Sequence, residues 1–173
     1  GLLTTNSDPQ GRPTIFDRLP VDLPRLMSVG RLDLNSEGLL LLTNDGDLSR
    51  YLELPKTGWS RKYRVRIFGK IEERQLDKLR EGIFLRGIRY SPMGITLDSQ
   101  GKTNSWLTVI LKGGKNREIR ETFGSFGLRV NRLIRIAYGP LNLGGLGKAE
   151  IVELESDTLQ KKILKEWSLS RMA

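Results

Sequence analysis

Residues 83–111 open with Ile83-Phe84-Leu85-Arg86-Gly87-Ile88-Arg89-Tyr90 and continue through Ser91-Pro92-Met93-Gly94-Ile95-Thr96-Leu97-Asp98. Past Gly101 they end in Ser105-Trp106-Leu107-Thr108-Val109-Ile110-Leu111. The apolar runs are short, alternating and rich in β-branched or aromatic residues, with glycine or proline between them. This pattern predicts four strands, at 83–86, 88–90, 95–98 and 105–111, with no helix separating them. Strands that follow one another directly argue for an α+β fold with a mixed, mainly antiparallel sheet, and against a regularly alternating parallel one. Just upstream, 62–68 alternates as well: Tyr63, Val65 and Ile67 share one face, Arg64 and Arg66 the other. Between these strand regions, 72–81 has helical spacing, with Leu76 and Leu79 inward and Gly82 as a stop.

Further out, 36–43 reads as a turn and a strand, Asn44-Asp45-Gly46 as a turn, and Asp47 as the cap of a short helix through residue 54. Residues 1–30 are broken by Pro9, Gly11, Pro13, Pro20, Pro24 and Gly30. Downstream, a helix is expected over 116–123, extended chain over 128–138, a loop around Gly144, Gly145 and Gly147, a strand over 148–154, and a helix over 158–167 with Leu159, Ile163 and Trp167 inward. The expected organisation is one domain over 1–173, or two lobes meeting near Gly69. The chain opens at Gly1-Leu2-Leu3 without a methionine, so its natural start is expected upstream.

The chain has 173 residues, 38% of them hydrophobic, which is enough for a core. Its longest apolar run, Leu39 through Leu42, is far short of the roughly 20 residues of a membrane helix. There is no cysteine and no histidine. That excludes disulfides, thiolate chemistry, histidine-based triads and histidine metal sites, leaving carboxylate, hydroxyl, amine and guanidinium groups for any catalysis. The net charge of +9, with acids well mixed among the bases, points to a polyanionic partner, RNA or DNA, more than to a membrane surface.

Three segments can carry chemistry. In Gly30-Arg31-Leu32-Asp33, extended backbone would place Arg31 and Asp33 on one face, where a guanidinium favours the ionised carboxylate. Such a pair is either a surface ion pair at a turn or a poised nucleophile. In Lys62-Tyr63-Arg64-Val65, Tyr63 is either a core tyrosine or a platform for a nucleobase. The third segment is Lys112-Gly113-Gly114-Lys115-Asn116-Arg117-Glu118-Ile119-Arg120-Glu121. Residues 112–135 hold seven bases against two acids. On a helix, Arg117, Arg120, Glu121 and Gly124 fall on one side and Ile119, Phe123 and Phe126 on the other, so a basic face need not compete with the core face. A glycine-rich entry to such a helix suits phosphate, though a solvated charged face is the alternative. Asp45 and Asp47 resemble the start of a calcium loop, but the twelfth position is Lys56 rather than glutamate, so turn and cap is the better reading.

Together these segments resemble RNA pseudouridine synthases of the RsuA/RluB/RluE/RluF group, most closely the RluB branch. The resemblance rests on Gly30-Arg31-Leu32-Asp33 running into Glu37-Gly38-Leu39-Leu40-Leu41-Leu42-Thr43-Asn44-Asp45-Gly46, on Lys62-Tyr63-Arg64-Val65, on Gly114 to Arg120, and on Asn131-Arg132-Leu133-Ile134-Arg135 with Tyr138-Gly139. Gly11-Arg12-Pro13-Thr14-Ile15-Phe16-Asp17 fits the group's N-terminal stretch, and the likeness spans about residues 1–153 in order. It implies a bent mixed sheet flanked by helices, with a central RNA-binding cleft. The implied reaction is isomerisation of uridine to pseudouridine without metal or organic cofactor, in large-subunit ribosomal RNA, with small-subunit or transfer RNA as alternatives. A non-catalytic RNA-binding or ribosome-assembly module is the rival of a different class. The resemblance further implies Asp33 as nucleophile, Tyr63 stacked on the flipped base and assisting proton removal, and Arg120 paired with Asp33. It places Arg31 in the cleft, Ile119 in the pocket wall, and Lys115, Asn116 and Arg117 on RNA backbone. A cytoplasmic monomer is expected. The chain departs from the group at Glu118, where glutamine is common, and at Glu121-Thr122, where a basic residue and methionine are common. The group's N-terminal RNA-binding domain would precede Gly1.

Overall fold

The computed structural model describes residues 1–57 and 59–154 and, beyond them, Asp157, Lys161, Ile163, Leu164, Lys165, Trp167 and Leu169. In chain order its elements are β1 (Met27–Val29), β2 (Glu37–Gly38), β3 (Leu41–Thr43), α1 (Gly46–Glu53), β4 (Arg61–Phe68), α2 (Glu73–Glu81), β5 (Ile83–Leu85), β6 (Ile88–Tyr90), β7 (Gly94–Gln100), β8 (Asn104–Leu111), α3 (Glu118–Gly124), β9 (Val130–Tyr138) and β10 (Leu141–Asn142). The four strands expected over 83–111 are β5 to β8. β5 and β6 form a separate hairpin, while β7 and β8 enter the main sheet.

That sheet has the order β10-β9-β4-β8-β7, all antiparallel, with β2 lying parallel to β9. It is mixed and mainly antiparallel, and the fold is α+β, as expected. β4 is central. It pairs with β8 from Arg61↔Leu111 to Phe68↔Asn104 and with β9 from Arg61↔Tyr138 to Ile67↔Val130, so the sheet runs across Gly69. The alternation of β4 is realised: Val65 and Ile67 are fully buried, while Arg64 and Arg66 lie on the other face beside Trp106.

The larger core joins Val65, Ile67, Leu107, Val109 and Leu133 of the sheet to Leu76 and Leu79 of α2 and Ile119 and Phe123 of α3. Each such side chain contributes about 1.5–3 kcal/mol by leaving water. A smaller core unites Val29, Leu39, Leu52, Tyr138, Leu141 and Ile163. It supports β1, α1 and the segment between β1 and β3, in which Asp33 lies.

Several boundaries differ from expectation. Asp45, not Asp47, caps α1: its carboxylate accepts the N–H groups of Asp47 (2.9 Å) and Leu48 (3.0 Å). α3 begins at Glu118 rather than at residue 116, because Arg117 adopts a left-handed conformation (φ 51°) that cannot continue a helix. The strand expected over 148–154 does not form. Ala149 sits at φ 61°, the residues join no described sheet, and Ile151 and Val152 stay exposed, so alternation there has no face to bury. Of the helix expected over 158–167, Lys161, Ile163, Leu164, Lys165 and Trp167 are helical, and the other five residues lie outside the described residues.

Candidate active site

A cleft of about 800 Å³ opens where the smaller core meets the sheet. One wall is the segment Gly30 to Ser36 with Thr4 and Thr5. The other is the loop from Gly113 to Arg117 with Ile119. The floor comes from Arg61 and Tyr63 of β4 and Leu133, Arg135 and Tyr138 of β9. Of the residues expected to act together, Arg31, Asp33, Tyr63, Lys115, Asn116, Arg117 and Ile119 all line this cleft. Arg120 stands behind its wall.

Asp33 sits at a turn closed by the Ser36 N–H donating to the Asp33 carbonyl at 2.8 Å. Its carboxylate meets Arg117, with Nη1 to Oδ2 at 3.4 Å. The expected pairing with Arg120 is not what the structure holds. Arg120 Nη1 donates to the Val130 carbonyl (3.0 Å) and Nη2 to the Asn35 carbonyl (2.7 Å), so this guanidinium clasps the backbone of the Asp33 turn and leaves the carboxylate to Arg117. Burial lowers the Arg120 pKa, the Arg117 charge lowers it further, and the nearby Asp33 charge opposes both.

Tyr63 is half-buried and paired across the sheet with Val109 and Arg135. A register shift between Lys62 and Tyr63 interrupts the β4–β9 ladder there. Such a bulge bends the strand and re-aims its side chains. Position in the strand predicted the face of Tyr63 but not this shift.

Among the lining residues that were not foreseen are Arg61, Glu118, Arg135 and Tyr138. Arg135 is only 2% exposed. Its signal was present, since Arg135 follows Leu133 and precedes Ala137 on the buried track of β9, as Arg61 does before Tyr63, Val65 and Ile67 on β4. Arg61 Nη2 donates to the Lys112 carbonyl at 3.2 Å, and its guanidinium lies 5.8 Å from the Tyr138 ring centre. Glu118 is a buried acid in the first turn of α3, accepting the Lys115 N–H at 3.3 Å. Burial raises its pKa, against the Lys115 N–H and the charges of Arg61 and Lys115. Its carboxylate lies in the first turn of α3 beside Gly113, where the sequence offered either a phosphate site or a solvated charged face. Burial likewise raises the Tyr138 pKa. Among the described residues no three carboxylates gather to hold a metal ion.

Residues 2–125 match the family model described as RNA pseudouridylate synthase. The chain belongs to the RNA pseudouridylate synthase family. It is 48% identical over 164 residues to an uncharacterized RNA pseudouridine synthase of Rickettsia prowazekii (strain Madrid E), covering 95% of this chain and 69% of that protein. It is 39% identical over 177 residues to ribosomal large subunit pseudouridine synthase B of Yersinia pestis, covering 93% of this chain and 56% of that protein. A crystal structure of a pseudouridylate synthase superposes with a TM-score of 0.83 at 28% identity, covering 96% of this chain and 69% of that one. As a family member the protein is an RNA pseudouridine synthase, an isomerase, and the cleft described above is its candidate active site.

Proposed function

We propose that this enzyme isomerises uridine to pseudouridine in large-subunit ribosomal RNA, with Asp33 as its nucleophile. The observation that carries the reading is Asp33 standing in the cleft wall, its carboxylate on Arg117, in a cleft that also presents Tyr63 and Ile119. Support for the ribosomal substrate comes from relatives named as large-subunit synthases, of which this chain spans only about half.

The isomerisation breaks the C1′–N1 bond, makes a C1′–C5 bond, and exchanges a proton on C5 for one on N1. Atoms and electrons balance without an oxidant or reductant. Asp33 supplies the electron pair, to the ribose or to the uracil ring, and recovers it when the new carbon–carbon bond is complete; a route through a glycal-like intermediate is the third alternative. The target base must leave its stack to reach Asp33. Tyr63 stacks on it and assists the late removal of the C5 proton, and Ile119 closes the apolar side. Arg31, Lys115, Asn116 and Arg117, all exposed along the rim, hold RNA phosphates. The reading extends to residues 1–173 as one catalytic unit, acting as a cytoplasmic monomer on a stem-loop whose uridine flips out. A basic chain and a cleft of nucleotide size support the last point.

The test is release of tritium from RNA labelled at uracil C5. The parent releases label and Asp33→Asn does not. Release that survives in Asp33→Asn removes the assignment of the nucleophile. A parent that binds RNA but releases none would make the protein an RNA-binding module.

A further inference from the structure

The segment that carries Asp33 meets one residue of β9 at both of its ends. Arg135 Nε donates to the Leu39 carbonyl at 2.8 Å, and Nη1 reaches the Arg31 carbonyl at 3.5 Å. The backbone of Arg135 grips the same segment: its carbonyl accepts the Leu39 N–H at 2.8 Å, and it pairs in parallel register with Gly38. Arg31 lies two residues before Asp33 and Leu39 six after, so a single residue closes the loop that presents the carboxylate.

This arginine is braced from below. Its guanidinium lies 5.3 Å from the Tyr138 ring centre, and the Tyr138 hydroxyl donates to the Leu52 carbonyl at 2.8 Å, near the end of α1. Among the described residues no carboxylate comes within ion-pair distance of Arg135, and its Nη2 has no hydrogen-bond partner. A buried cation without a counter-charge is costly. Leu133 and Ala137, the neighbours on its track, are apolar, so an apolar residue would suit the same position on packing grounds. What an apolar residue or a lysine cannot do is span two carbonyls at once with a rigid planar fork.

Asp33 is placed through the backbone of its segment. Its own side-chain contact, to Arg117, is long and leaves both partners partly exposed. Other contacts hold the segment too: the Ser36 N–H on the Asp33 carbonyl, Arg120 on the carbonyls of Asn35 and of Val130 in β9, Thr4 Oγ1 on the Leu32 carbonyl at 3.5 Å, and the Gly30 N–H on Glu53 Oε1 at 2.7 Å; none of these side chains meets the segment on both sides of Asp33, as Arg135 does.

We propose that Arg135 is the positioning residue for Asp33: its fork on the Arg31 and Leu39 carbonyls sets where the carboxylate stands over the cleft floor. This rests on Asp33 being the nucleophile. Reaction of a placed carboxylate is steeply sensitive to position, while RNA is held by groups along the rim, so the loss falls on turnover and spares affinity.

The test compares the parent, Asp33→Asn, Arg135→Lys and Tyr138→Phe by tritium release at saturating RNA and by RNA binding. Arg135→Lys keeps the charge and loses the fork; its kcat falls about a hundredfold, the effect of a misplacement on the order of 1 Å, and its KM and RNA Kd stay within about twofold of the parent. Tyr138→Phe keeps the ring and loses the hold on Leu52; its kcat falls several-fold with unchanged affinity, and it decides the matter if Arg135→Lys does not fold. Folded variants that turn over like the parent, or whose KM rises in step with the fall in kcat, overturn the proposal while Asp33→Asn remains inactive. Turnover by Asp33→Asn would instead overturn the reading of Asp33 itself.

Discussion

Asp33 is met by Arg117 and not by Arg120. The Arg117 Nη1 to Asp33 Oδ2 distance is 3.4 Å, whereas the two Nη atoms of Arg120 lie 3.0 Å from the Val130 carbonyl and 2.7 Å from the Asn35 carbonyl. The cause is local backbone. Arg117, at φ 51° just before α3, precedes the helical path that would have set it on one face with Arg120. One arginine is thereby left at the rim and the other is built into the wall.

These two places separate the consequences of mutation. Arg117→Ala removes a long, half-exposed ion pair, a type worth about 0–1 kcal/mol, so the melting temperature stays near that of the parent. Its effect is on RNA: affinity weakens at every sequence, and the slope of log affinity against log salt falls by about one for the lost phosphate contact. A salt slope equal to the parent's would remove Arg117 from the RNA contact surface. Arg120→Ala acts on the fold. It releases two charge-assisted bonds to carbonyls and costs about 2–4 kcal/mol in urea unfolding.

Gly38, beside the site, has no room for a methyl group. Its φ is 108°, and a Cβ there would strike the carbonyl oxygen, nitrogen and carbonyl carbon of Arg135. Backbone atoms of a paired strand cannot move aside as a flexible side chain can. Gly38→Ala therefore destabilises by about 3 kcal/mol or more, from the strained φ and the broken β2–β9 pairing together. Thermal unfolding followed by circular dichroism measures it; a melting temperature within a degree or two of the parent would show that β2 can separate from β9 at little cost.

Much of this architecture was legible in the chain because its signals are local. The alternation Tyr63, Val65, Ile67 is a period that one strand displays by itself, and Leu76 with Leu79 before Gly82 is a helix with its stop. The same period runs through β9 and puts Arg135 on the inward track, yet over 128–138 the sequence showed only extended chain: a charge there reads as an error of register until Leu39 and Arg31 are seen to supply its acceptors, 96 and 104 residues away in sequence. The Arg120 assignment failed for a related reason. Helical spacing says which side chains share a face, and a single left-handed residue at Arg117 cancels that logic. At 148–154 alternation alone misled, because a strand also needs a neighbour.

Glu118 gives a prediction with a sign. Burial raises its pKa above the ordinary value of 4.5, so the folded chain binds this proton more tightly than the unfolded one. The group's favourable contribution is complete below about 4.5 and is lost as pH rises through the folded value, where an ionised carboxylate must remain buried. Glu118→Gln keeps an oxygen for the Lys115 N–H and never ionises. Its stability relative to the parent rises with pH, with the variant ahead at pH 7.5 and the difference shrinking toward pH 4 in paired urea titrations. A difference that is constant across that range, or that grows toward acid, would show that Glu118 does not carry a buried charge at neutral pH.

Tyr63 can be dissected by size and by hydroxyl. It lines the floor of the cleft half-buried, where its ring is available to a base and its hydroxyl to a proton. Stacking of one base on an aromatic side chain is worth about 1–3 kcal/mol, so Tyr63→Ala weakens RNA binding by roughly 5- to 150-fold and lowers turnover as well. Tyr63→Phe keeps the ring and binds RNA like the parent. If the hydroxyl assists removal of the C5 proton, tritium release by Tyr63→Phe is slower while cleavage of the C1′–N1 bond, followed in a single turnover, keeps its rate. Equal slowing of both steps would assign the hydroxyl to placing the ring, and loss of affinity in Tyr63→Phe would show that the base is held by the hydroxyl more than by the ring face.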